Sequence, residues 1–235
     1  MWTIDDCTNT GTVNEPTNYF ADAILRDRTR VHIRAIRADD KYRLARHFDG
    51  LSSESRYHRF FGVKNGFTSR ELRYFTEPDF PRHVALVVTI AGRDGAEAIV
   101  SDGRYVLLPD RICVAELALS VVDSCQRRGI GALVLECLIA MARQVHLGRL
   151  EAEVLASNRG AMRFLIRHGF ASVGTSGGVC RVALSVRDHR GPEGAAGHAF
   201  IGPRPDIAAA AISVTRGIDP RQSGKIGWLA PAGYR

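Results

Sequence analysis

Gln126, Gly129 and Gly131 stand in the order Q-x-x-G-x-G, with Arg127 and Arg128 between them, directly before an apolar stretch of helical period. Glycines at the mouth of a helix let backbone N–H groups approach an anion, and the helix dipole adds favourable potential there. The pattern suits a phosphate cradle. Gln126, Arg127 and Arg128 can add side-chain contacts, and the backbone from Arg127 through Gly129, Ile130, Gly131 and Ala132 can supply donors. A tight turn with solvated arginines would use the same residues. Neither G-x-x-x-x-G-K-[ST] nor G-x-G-x-x-G occurs, so two familiar nucleotide fingerprints are absent.

Just upstream, Ile112 to Val122 is an apolar run interrupted by Glu116. A carboxylate is costly to bury without a purpose or a partner, so Glu116 is a candidate proton acceptor, with an ion pair or a solvated face as the plainer account. Glu151 and Glu153 alternate on a later strand and could be reserve bases, although a solvated sheet edge explains both. His58, His83 and His168 are scattered and default to surface or packed imidazoles. No metal-ligand spacing and no covalent-nucleophile arrangement stands out, so no metal is expected.

These residues need elements to hold them. Val31 to Ile36 alternates as a first strand. Helices are expected from Asp39 to Gly50, from Ser52 or Ser53 to Phe60, and from Thr68 or Ser69 to Phe75. Val84 to Ala91 and Ala98 to Leu108 read as a meander around a turn at Gly92 to Gly95. The Glu116 strand follows, then a helix from Gly129 whose apolar stripe includes Ile130, Val134, Leu138 and Met141. Leu150 to Leu155, a helix from Asn158 to His168 stopped by Gly169, and strands at Phe170 to Val173 and Val179 to Val186 complete the pattern. The expected fold class is α/β (α+β), with a mixed, mostly antiparallel sheet of six to seven strands flanked by helices.

Residues 1–29 are polar and read as an extension with at most one helical turn near Tyr19 to Leu25; residues 188–235 are rich in Gly and Pro and read as a largely disordered tail. One domain, 30–187, lies between. The chain has 235 residues, 45% of them hydrophobic, which is enough for a real core. Its formal charge of +7 comes from scattered arginines, so a phosphate-bearing ligand or an acidic protein surface fits and nucleic acid is not expected. Five widely spaced cysteines without C-x-x-C, and no apolar run of membrane-spanning length, fit reduced thiols in a soluble cytoplasmic protein.

Together the residues resemble the GNAT superfamily of acyl-CoA-dependent N-acyltransferases. The family's Q/R-x-x-G-x-G/A loop matches Gln126 to Gly131, and its second signature matches Asn158, Ala161, Phe164, Gly169 and Phe170. Leu51 to Tyr57, Arg59 to Phe61, Glu71-Leu72, Phe75-Thr76, Asp79-Phe80 and Ala115 to Ala118 are similar to bacterial protein lysine acetyltransferases of the Pat type. The resemblance covers about Val31 to Val186.

The resemblance implies a GNAT fold and transfer of acetyl from acetyl-CoA to a protein lysine or a small amine, with Glu116 as catalytic base. It implies that Gln126 to Ala132 hold the coenzyme pyrophosphate. The backbone of Leu119, Ser120 and Val121 would pair with the pantetheine arm, and Asn158 would contact the same arm, beside its simpler role as a helix cap. A lysine amine with a pKa of about 10.4 is almost wholly protonated near pH 7, hence the need for a base. Two departures stand out. Phe164 is followed by Leu165 where many relatives have a proton-donating tyrosine, and the chain has no room for the cyclic-nucleotide-binding or acyl-CoA-synthetase-like domain that Pat-type enzymes often carry. A non-catalytic acyl-CoA-binding module is the rival reading.

Overall fold

The computed structural model describes residues 18–92 and 95–189, and the backbone of 199–201. Strands β1 (Phe20–Ile24) and β2 (Arg30–Ala35) form a hairpin, and three helices follow: α1 (Lys41–Asp49), α2 (Ser53–Phe60) and α3 (Ser69–Thr76). Then come β3 (His83–Ala91), β4 (Glu97–Leu107), β5 (Val114–Val121), α4 (Ile130–Gln144), β6 (Arg149–Leu155), α5 (Arg159–Arg167), β7 (Ala171–Ser176), β8 (Val179–Ser185) and β9 (Ala199–Ile201). The strands make one sheet in the order β7-β8-β6-β5-β4-β3-β2-β1-β9. Among the described strands only β5 and β6 run parallel, across the α4 crossover.

Local chemistry explains the helix starts. Ser52 caps α2 by accepting from the Ser55 N–H at 3.1 Å. Thr68 and Glu71 form a reciprocal capping box on α3, with bonds of 3.2 and 2.8 Å. Asn158 Oδ1 accepts from the Ala161 N–H at 3.0 Å and starts α5. α4 carries buried residues on nearly every face, including Ile130, Leu133, Val134, Leu135 and Leu138, and it packs on β3, β4 and β5 of the sheet. It lies so close to β4 that a Cβ on Gly103 would stand 2.8 Å from Val134 Cγ2.

The other sheet face is covered by α1 and α3. Phe48, Phe60, Phe67 and Phe75 interlock there at centroid separations of 5.0 to 5.7 Å, above Ile36, Ala85, Val87 and Ile99. This layer also buries charge, since Asp102 and Arg104 of β4 point into it and are 4% and 1% exposed.

Three sequence expectations change. Among the described residues the sheet has nine strands, two or three beyond the number expected. Phe20–Ile24 is a strand rather than part of an extension with a helical turn, because its ladder to β2, from Phe20 opposite Arg34 to Ile24 opposite Arg30, supplies hydrogen bonds that a short polar stretch does not announce. Ala199–Ile201 adds a ninth strand on β1. The remaining expectations for the two ends fall outside the described residues.

Candidate active site

β5 and β6 are in register at Val114/Arg149, Ala115/Leu150 and Glu116/Glu151 only. β5 continues to Val121 and β6 to Leu155, but β8 pairs with the whole of β6 from its other side, and β4 pairs with β5 from Ala115 to Val121. The two neighbours therefore part like the arms of a V. From Leu117 onward one edge of β5, including Leu119, Ser120 and Val121, has no β6 partner. A cleft of about 1490 Å³ opens between the arms, and Glu116, Ser120, Gln126, Gly129, Ala132 and Asn158 all line it.

The cradle loop sits at the wide end. Arg127 has φ +60° and the α4 N-cap Gly129 has φ +91°, a left-handed geometry that glycine adopts without strain. Leu133 N–H bonds back to the Gly129 carbonyl at 3.0 Å, so the N–H groups of Ile130, Gly131 and Ala132 precede the first intrahelical donor. Ile130 is 1% exposed, so only its backbone can reach a ligand. A Cβ on Gly131 would lie 3.7 Å from the Phe164 ring and 3.8 Å from Val121 Cγ2, which brings α4, α5 and β5 together at the cradle.

The loop side chains divide the work. Gln126 Nε2 donates to the Val121 carbonyl at 3.2 Å and to Asp123 Oδ1 at 2.9 Å, so it braces the loop. Asp123 also accepts from the Ser55 hydroxyl at 2.7 Å and from the Ser52 N–H, tying the loop to α2. These donors hold its carboxyl below the usual range although partial burial opposes them. Arg128 reaches Asp27 at 2.6 Å and the Thr29 hydroxyl at 2.5 Å on the β1–β2 hairpin. Arg127 is exposed at the cleft. Sequence reasoning missed Asp123 and the hairpin, because their roles rest on contacts across long chain separations.

Glu116 lies at the vertex of the V, half-buried. On the same face of the sheet lie Ala118 and Ser120 of β5 and, opposite them on β4, Arg104 and Asp102. Asp102 is held at 2.5 Å by Arg104 and at 3.6 Å by Arg59 of α2. Burial opposes ionisation of Asp102, but the two guanidinium groups keep its carboxyl below the ordinary range. Burial lowers the Arg59 pKa to about 10, while Asp102 and Glu116 favour its charged form. Arg104 also meets His83 Nε2 at 3.0 Å, and burial, with Arg104 beside it, pushes His83 down to about 3. Glu116 thus borders a buried charge network that ends in a neutral imidazole. The signal was in the sequence: Asp102 and Arg104 interrupt an apolar strand as Glu116 does.

The reserve carboxylates separate. Glu151 accepts both Arg111 Nη groups at 2.6 and 2.8 Å and meets Arg149 at 3.0 Å, and Arg111 first of all holds its pKa down. Glu153 is exposed along the cleft. Leu165, where many relatives have tyrosine, is 5% exposed and offers no proton. Among the described residues no cluster of three His, Cys, Asp or Glu side chains could hold a metal, and no helix is long and apolar enough to cross a membrane.

A sheet splayed between one parallel strand pair, beside a glycine-started helix, defines a fold of the acetyltransferase class. The model of the acetyltransferase (GNAT) family matches residues 54–170. The GNAT domain of the S. lividans protein PAT is 30% identical, with a TM-score of 0.65 over 71% of this chain and 96% of that one. The chain belongs to the GNAT family. It is also 33% identical over 137 residues to the acetyltransferase Pat of Mycolicibacterium smegmatis, covering 58% of this chain and 40% of that relative's length. A structure of yncA from Salmonella typhimurium with its cofactor acetyl-CoA shares the fold alone, at 17% identity and a TM-score of 0.54 over 70% of this chain and 98% of that one.

Proposed function

We propose that the chain transfers an acetyl group from acetyl-CoA to the ε-amine of a protein lysine by direct attack, with Glu116 as general base. The observation that carries this reading is the parting of β5 and β6 at Glu116, next to the positive-φ Gly129 that opens α4. A free strand edge suits an amide-bearing arm by strand addition, and the first turn of α4 suits a diphosphate. Arg127 and the loop backbone would meet the phosphates, with Gln126 and Arg128 bracing the loop. The backbone of Leu119, Ser120 and Val121 would hold the arm, and Asn158 would meet it with its amide nitrogen, since Oδ1 already caps α5.

In this reading the thioester lies along the open edge of β5 beside Ser120, and Glu116, nearer the vertex, accepts the proton of the attacking amine through water. The C–N bond forms, the C–S bond breaks, and the thiolate leaves without a tyrosine on α5 to protonate it. The lysine acceptor is supported by the similarity of the α2 and β5 segments to bacterial protein lysine acetyltransferases of the Pat type. Mass spectrometry of a cell lysate incubated with the protein and isotope-labelled acetyl-CoA tests it. Label on protein lysines is expected; label confined to small amines would replace the acceptor, and binding without transfer would leave a regulatory module.

A further inference from the structure

Ser120 has a partner that strand pairing does not require. Its Oγ lies 2.9 Å from His47 Nε2 on α1. The other ring nitrogen, Nδ1, is 3.3 Å from the Ile99 carbonyl, which can only accept, so Nδ1 carries the proton. His47 is 4% exposed, and burial holds it neutral against the opposing pull of Asp102. A neutral ring protonated at Nδ1 has a bare lone pair at Nε2, so the Ser120 hydroxyl is the donor. A hydroxyl bonded to a base that a third group orients is the arrangement that makes serine nucleophilic. Ser120 also lines the large cleft, half-buried, within the stretch of β5 that β6 leaves open.

We propose that Ser120, with His47 as its base, is a second acyl acceptor, which takes the acetyl group from the donor thioester when no amine occupies the cleft. This rests on the reading of the cleft as the acetyl-CoA site. Ser120 Oγ attacks the thioester carbonyl carbon and a C–O bond forms. The hydroxyl proton passes to His47 Nε2, the C–S bond breaks, and the leaving thiolate takes that proton. The products are an O-acetylated Ser120 and free coenzyme thiol, with no oxidant or reductant involved. Because the ester would sit on the strand that holds the donor arm, self-acetylation would compete with reloading of the cleft.

The full chain is incubated with acetyl-labelled acetyl-CoA and no amine, then peptide-mapped by mass spectrometry while thiol release is followed. One acetyl group on the peptide carrying Ser120, matched by released thiol, is expected. The label should vanish in Ser120→Ala, persist in Ser120→Thr and Glu116→Gln, and form roughly 10²-fold or more slowly in folded His47→Gln. An unlabelled Ser120 in protein that takes up acetyl-CoA by calorimetry overturns the proposal alone, as does undiminished labelling in His47→Gln. No uptake of acetyl-CoA removes the donor reading with it.

Discussion

Glu116 of β5 stands opposite Glu151 of β6 in the last register pair before the two strands part. The two carboxylates share a sheet face but not a task, since Glu151 is clamped by Arg111 and Arg149 while Glu116 lines the cleft. Glu116→Gln should cut turnover by roughly 10²–10⁴ with donor affinity nearly unchanged. Glu151→Gln should leave turnover near the wild-type value and cost about 0–1 kcal/mol of stability, because Arg111 is largely solvated. Steady-state kinetics with donor calorimetry check both, and unaltered turnover in Glu116→Gln would remove it from the mechanism.

Gly129 has φ +91°, so any L side chain there is strained. Gly129→Ala should destabilise the fold by about 1 kcal/mol or more and weaken donor binding, because the cradle and the start of α4 move together. Turnover at saturating donor should suffer less than KM. Equal losses in both would mean that the loop acts on the chemistry rather than on the donor.

Gly103 is where α4 meets the sheet. A methyl there would lie 2.8 Å from Val134 Cγ2 and 3.1 Å from Leu138 Cδ1. Gly103→Ala should cost on the order of 1–3 kcal/mol by overpacking, seen as a lower urea midpoint with an unchanged slope. A neutral result would show that α4 can ride outward freely.

His83 makes stability depend on pH in a defined window. The unfolded chain binds a proton near the ordinary value of 6.5, whereas the folded protein does so only near 3. The unfolded state therefore holds more protons between those values, and stability, complete above pH 6.5, is lost as pH falls. The slope is at most about 1.4 kcal/mol per pH unit for each such group. His47, also lowered, adds in the same direction. Asp40 and Asp102, held below the usual carboxylate range, stay ionised through the upper part of the window. Denaturant titrations from pH 7.5 to 5 should show a shallower slope for His83→Gln than for wild type; parallel slopes would sink the assignment.

Much of the core architecture was legible because its signals are local. The α4 stripe, the Asn158 cap, and the helix starts at Ser52 or Ser53 and at Thr68 or Ser69 are set by residues within one or two turns of each other; the structure selects Ser52 and Thr68 as the caps. β1 was not legible, since Phe20–Ile24 becomes a strand by pairing with β2 and β9 rather than through its own period. The site divided in the same way. Glu116 and the Gln126 to Gly131 loop announce themselves by residue type and spacing. Asp123 beside Ser55, Arg128 beside Asp27, and His47 beside Ser120 join residues 68, 101 and 73 positions apart.

By itself the sequence determined where the strands and helices of the central domain lie, the glycine turn into α4 and the carboxylate on β5, because periodicity, capping and backbone freedom depend on near neighbours. Only the tertiary structure decided that β5 and β6 part just after Glu116, that Arg111 and Arg149 occupy Glu151, and that His47 receives the Ser120 hydroxyl. Those outcomes depend on which distant surfaces are buried together, and burial sets both the partner and the charge of each group.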